Sequence, residues 1–195
     1  MKKKFLAKGC RANVYLVRVK GKDCVLKEEM KGLGSIDREA EWLKVLNKHK
    51  IGPKLIEKGS GWFICSYLKG KRILDYIRKC PSEKSVKVLA AVLQQCRALD
   101  KLNVSKEEMH NPHKHIIVSR SVKMIDFERC HYSSRPQNVT QFVQFIASSR
   151  LSQLLKEKNI IYDKKKLIIL SKKYKKTYLE KDFKAILSYI CRTIQ

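Results

Sequence analysis

Val122-Lys123-Met124-Ile125-Asp126-Phe127-Glu128 decides how this chain is read. A short apolar strand runs directly into an aspartate, with an aromatic residue next, so a carboxylate stands at a strand end. Just upstream, His110-Asn111-Pro112-His113-Lys114-His115-Ile116-Ile117-Val118 gathers three of the five histidines before a second short strand. Imidazole titrates near neutrality, so this loop supplies groups able to take or give a proton.

Working outward, residues 12–29 alternate as a hairpin: Tyr15, Val17 and Val19 share one side, and Lys20-Gly21-Lys22-Asp23 makes the turn. Ser35 is expected to cap a helix over 36–48, with Asp37 in its positive first turn. At 100° per residue Ile36, Ala40, Leu43 and Leu46 form one stripe, and Glu39 falls inside it. A carboxylate on a buried face needs a cation, and Lys27, ending the strand Val25-Leu26-Lys27, is the natural one. Short strands are expected at 54–57 and 62–67, then a linker at 68–71. Beyond it the period becomes helical: a short helix at 73–79, a longer one capped by Ser82 to about Leu102, and further helices at 136–155, 164–175 and 181–193. Two brief strands, 116–118 and 122–125, interrupt them. The expected class is α+β, strand-rich at first and helical afterwards.

With 44 Lys and Arg against 18 Asp and Glu, the net charge is +26, and the chain is 44% hydrophobic. The apolar fraction suffices for a core, whereas the charge opposes compaction and points to a polyanionic partner. Between Lys156 and Lys184 stand 11 lysines and four acidic residues. Lys164, Lys165 and Lys166, then Lys172, Lys173, Lys175 and Lys176, form two clusters suited to phosphate contacts. Lys44, Lys48, Lys50 and Lys54 extend the basic track. Leu167, Leu170, Tyr174 and Tyr178 share a stripe, so these tyrosines are expected in the core instead of stacking on bases. Seven dispersed cysteines without a C-x-x-C pair read as reduced thiols of a cytosolic protein. No run approaches a membrane span. The expectation is a cytoplasmic protein that engages no membrane.

Gly9 and Ala12 in the first loop, Lys27, Glu39, the linker at 67–71, the 110–118 loop and Asp126 occur in a fixed order. That set, over roughly residues 5–155, resembles the minimal protein-kinase-like fold and is similar to the small archaeal RIO and Bud-type kinases. The resemblance implies a minimal bilobal fold: a small β-rich lobe with one long helix at 1–68, and a reduced helical lobe at 69–195. The histidine loop followed by Ile125-Asp126-Phe127-Glu128-Arg129-Cys130 looks like the archaeal RNA kinase family. This implies transfer of the γ-phosphate of ATP (or GTP), with Mg²⁺, to the 2′-hydroxyl of an internal tRNA nucleotide, the variable-loop uridine. Gly9, Ala12, Lys27 and Glu39 would hold the nucleotide, and Asp126, with His115, the metal. His110, Lys114, His115 and Asp126 would serve the transfer, since histidines stand where protein kinases keep Asp and Asn. Glu128 replaces the glycine that usually follows Asp-Phe, which implies a rigid site. A RIO- or Bud-type protein kinase and a non-catalytic RNA-binding pseudokinase are the competing readings. A third assigns zinc to His110, His113 and His115 with His131 or Cys130.

Overall fold

The computed structural model describes residues 2–30, 32 and 34–193. The chain is α+β, with a five-stranded antiparallel sheet in its N-terminal part and helices in its C-terminal part. It divides into two compact units: Met1–Lys69 with Lys123–Cys130, and Gly70–Val122 with His131–Gln195.

In the first unit the sheet comprises β1 (Lys4–Lys8), β2 (Ala12–Val19), β3 (Lys22–Glu29), β4 (Leu55–Gly59) and β5 (Trp62–Ser66), in the order β1-β2-β3-β5-β4. The hairpin expected at 12–29 forms, pairing Ala12 with Glu29 through to Val19 with Lys22. Lys20 and Gly21, both at positive φ, make its two-residue turn, the backbone that matches strand twist. Val17, Cys24, Leu26 and Ile64 bury one face, with Tyr15, Val19 and Trp62 packed on them. Sequence reading missed β1, because all five of its residues are exposed and leave no apolar alternation. It pairs with β2 across a bulge between Phe5 and Ala7.

α1 (Ser35–Leu46) buries Ile36, Glu39, Ala40, Leu43 and Leu46, the stripe its periodicity marks. The expected Ser35 cap is absent. Gly34 holds the N-cap position in the left-handed region, at φ 64°. Glu29, ending β3, accepts hydrogen bonds from Ser35 N (2.8 Å), Ser35 Oγ (2.9 Å) and Gly34 N (3.2 Å). The free N–H groups of the first turn are thus satisfied by a carboxylate from the adjoining strand, where the helix dipole favours it. Burial works against ionising Glu29, but these hydrogen bonds outweigh it and its pKa falls.

A 3₁₀ turn, Asn47–His49, ends α1 and leads to Gly52 at φ 78°. A Cβ there would stand 2.9 Å from both Leu43 Cδ2 and Phe127 Cε2, and both side chains are fully buried. Gly52→Ala should therefore combine left-handed strain with overpacking, about 2–4 kcal/mol together. A thermal or urea melt of that variant within error of the parent would contradict this close approach.

The second unit contains β6 (Lys71–Arg72), α2 (Ile73–Lys79), α3 (Ser82–Lys101), β7 (Val104–Ser105) and β8 (Ile116–Val118). β9 (Val122–Met124) carries the chain into the first unit, and β10 (His131–Tyr132) returns it. α4 (Asn138–Ala147), α5 (Ser149–Lys156), α6 (Lys164–Thr177) and α7 (Glu180–Cys191) follow. β6 pairs antiparallel with β8, and β7 with β10. The helix expected over 136–155 is two helices. Ser148 turns extended (φ −60°, ψ 148°), donates its hydroxyl to Phe145 O at 2.7 Å and caps α5. Such local side-chain bonding competes with helix continuation. Ser82 opens α3 without capping it, since its hydroxyl donates to Lys158 O at 2.7 Å instead.

Asp100 organises the helical core. It accepts from Asn138 N, Asn138 Nδ2 and the Tyr174 hydroxyl, at 3.0, 2.7 and 2.8 Å. Arg97 Nη1 donates to the Tyr174 oxygen at 2.9 Å, and the Tyr178 hydroxyl donates to Pro136 O at 2.8 Å. Both tyrosines of the α6 stripe are thus committed to packing. That commitment turns the lysines of α6 outward.

Candidate functional site

In the first unit three predicted side chains meet. Lys27, on β3, reaches Glu39 at 2.7 Å (Oε2) and 3.0 Å (Oε1), and Asp126 Oδ1 at 3.7 Å. Glu39 is 2% exposed and also accepts from Phe127 N at 3.3 Å. It therefore joins a strand lysine to the backbone beyond Asp126, with α1 as the rigid support. Burial alone would lower the Lys27 pKa, but Glu39 and then Asp126 more than offset it, and the net shift is upward. Lys27 is therefore a fixed cation at neutral pH, held between two carboxylates.

Asp126 sits at positive φ (69°), a conformation that Asp tolerates better than most residues. Its side chain stays 38% exposed while Phe127 beside it is fully buried. The aromatic anchors the segment, and the carboxylate beside it reaches solvent. One exposed carboxylate suits Mg²⁺, which keeps several waters and takes substrate phosphate oxygens for the rest.

Glu128, where a glycine was expected by resemblance, has a partner that sequence reading missed. Arg11, in the loop before β2, lies 3.3 Å from Glu128 Oε1. Gly9 N donates to Ala12 O at 2.9 Å in the same loop, and Met30 N donates to Arg11 O at 2.9 Å. Gly9 and Ala12 therefore belong to a tight turn fastened to both β3 and the Asp126 segment. An arginine two residues past the glycine and a glutamate two past Asp126 were the available signal, but nothing local pairs them.

The histidine loop belongs to the second unit. Pro112–Lys114 form a 3₁₀ turn leading into β8. His110 and Lys114 are exposed, and His115 is half-buried with Nε2 3.1 Å from Glu108 Oε2. His113 Nδ1 lies 2.8 Å from Asn111 Oδ1, and Arg72 Nη1 donates to Lys114 O at 3.1 Å. Burial, then Arg150 and Lys114, lower the His113 pKa, which keeps that imidazole neutral at pH 7. Glu108, which stands at a positive φ of 69°, was not singled out from sequence. For the zinc reading, no group of three or more His, Cys, Asp or Glu stands together among the described residues.

All seven lysines marked on α6 (Lys164, Lys165, Lys166, Lys172, Lys173, Lys175 and Lys176) are exposed. Lys173 lies 3.2 Å from Asp182 Oδ1. Asp163 caps the helix by accepting from Lys165 N and Lys166 N, which sets the first cluster at a dipole end that attracts anions. None of the seven cysteines is in a disulfide; burial pushes the thiol of Cys65, near Lys27, up to about 12. Among the described residues no helix is long and apolar enough to cross a membrane. No protein-family model matches the chain, and no match is found among curated proteins.

Proposed function

We propose that this protein is an ATP-dependent RNA kinase of minimal bilobal, protein-kinase-like fold. It would transfer the γ-phosphate to the 2′-hydroxyl of an internal tRNA nucleotide, the variable-loop uridine. The observation that carries the reading is Lys27 bound by a buried Glu39 beside an exposed Asp126, the lysine–glutamate–aspartate arrangement that kinases use to hold a nucleotide and its metal. Lys27 neutralises the α- and β-phosphates, and Glu39 fixes its position. The Gly9–Ala12 turn covers the phosphates, latched by Arg11 and Glu128. Asp126 would hold Mg²⁺, which would supply charge neutralisation at the transferring phosphate. As an oxygen ligand Asp126 suits that ion better than His115 does, and His115 would serve through its imidazole paired with Glu108.

Phosphoryl transfer depends mainly on positioning and charge, so a strong base is dispensable. His110 takes the proton of the attacking hydroxyl, and Lys114 stabilises the developing charge. The α6 lysines bind the tRNA backbone, in keeping with the +26 charge.

The deciding experiment incubates the full chain with γ-labelled ATP (or GTP), Mg²⁺, total tRNA and a protein substrate, and then locates the label. Label on RNA, at a 2′-oxygen, is expected; label only on protein would favour a RIO- or Bud-type protein kinase. RNA affinity should fall steeply with salt. Replacing Lys164, Lys165 and Lys166 by Ala should reduce the log–log salt slope by roughly 2. A slope unchanged by that substitution would remove α6 from the RNA interface.

A further inference from the structure

We propose that the first unit carries a second RNA-binding site, a lysine-ringed cavity at the C-terminal end of α1. It takes one unstacked nucleotide of single-stranded RNA together with its flanking phosphates. The cavity measures about 500 Å³, well inside the roughly 300–1,000 Å³ of small-ligand pockets. Lys44, Lys50, Lys54 and Lys123 line it, and none of its described lining residues is acidic.

The lysines arrive from four places. Lys44 stands in the last turn of α1, Lys50 follows the 3₁₀ turn at φ 60°, Lys54 precedes β4, and Lys123 comes in on β9. Asn47 builds the wall between them. Its amide donates to Ile51 O (3.0 Å) and Pro53 O (2.9 Å), while its oxygen accepts from Leu55 N (2.7 Å). Ser66 closes the far side, exchanging hydrogen bonds with the Lys54 backbone at 2.9 and 2.8 Å. These bonds hold the 51–55 segment and Ser66 in place before any ligand enters, so this wall is preformed.

Its charge is balanced only in small part, by Glu41 acting on Lys44 from outside the cavity lining. Among the described residues no ion pair joins Lys44, Lys50, Lys54 or Lys123. The carboxylate nearest in sequence to Lys44, that of Glu41, is 2.6 Å from Lys58. Lys123 donates to Lys50 O at 2.6 Å, and burial together with Lys50 lowers its pKa. Four ammonium groups around one cavity repel one another, and a phosphodiester is the counter-charge that relieves this. Leu55 and Leu68 add an apolar wall, extended by the lysine stems, on which a base can lie. Phosphate beside an apolar face is what an unstacked nucleotide presents. The choice of RNA over a free nucleotide rests on the function proposed above.

Equilibrium binding of a labelled oligouridine of about 12 nucleotides, without ATP, tests the site independently of transfer. The double variant Lys50→Ala/Lys54→Ala changes two exposed side chains. It should bind about tenfold more weakly at low salt, with the salt slope reduced by roughly 1.4 and the melting temperature unchanged. Leu68→Ser should weaken binding while leaving the slope as it was. Affinity and slope equal to the parent's in the double variant would overturn the site. So would stabilisation by uridine monophosphate or tripolyphosphate that depends on Lys50 and Lys54 while oligouridine binding does not, because the cavity would then serve a small anion. A protein that binds RNA through this cavity yet never labels it would overturn the kinase reading and leave this one standing.

Discussion

Asp126→Asn should abolish phosphate transfer, lowering the single-turnover rate by at least ~10³-fold, while folding and RNA affinity remain. Asp126 is the one carboxylate of the first-unit cluster that is substantially exposed, so it is the group placed to hold an ion against the phosphates. Losing several kcal/mol of charge stabilisation corresponds to that factor, at tenfold per 1.36 kcal/mol. Asparagine is the right probe because position 126 sits at φ 69°, which Asn tolerates, whereas Ala would add backbone strain. The variant should melt close to the parent and bind RNA with the same salt dependence. Transfer within tenfold of the parent would remove Asp126 from the metal role. An RNA-binding pseudokinase would show no transfer in either protein.

Lys27→Met should destabilise the first unit by about 3–5 kcal/mol, because it leaves the buried Glu39 carboxylate without its cation. In a protein of this size that is a fall in melting temperature of roughly 6–20 °C. The Lys27 side chain is 20% exposed, which places the cost toward the lower end. Removing both charges, in Lys27→Met/Glu39→Leu, should recover much of the loss, since apolar pairs of similar volume often replace buried ion pairs without penalty. Nucleotide binding should be lost in both proteins. Calorimetry with titration of an ATP analogue separates the two effects. If the double variant is as unstable as the single one, losing the Glu39 acceptor of Phe127 N costs as much as leaving that carboxylate unpaired.

Several elements were legible because their signal is local. The α1 stripe announced a buried Glu39 before any partner was visible, since helical periodicity alone puts position 39 on the apolar face. The hairpin at 12–29 followed from alternation and a turn containing Gly21. The lysine clusters of α6 face outward because Leu167 and Tyr174 claim the opposite side. Elements without burial contrast were not legible: β1 is exposed along its whole length, and the two-residue strands are too short for any period. The break at Ser148 was missed because the apolar spacing continues through it, and only the serine's bond to Phe145 O ends the helix. The Ser35 cap failed for a comparable reason. A glutamate from another strand outcompeted the serine that the local rule favours.

The sequence by itself determined the α+β class, the faces of the helices and the types of side chain available for chemistry. Tertiary structure alone decided which of these meet. Glu39 and Phe127 are 88 residues apart, and Lys50 and Lys123 are 73 apart, yet each pair shares a hydrogen bond. Periodicity reports which way a residue faces within its own element. It carries no information about which distant segment closes on that face, because that choice is made when buried surface and satisfied backbone groups outweigh the entropy of ordering the chain between them.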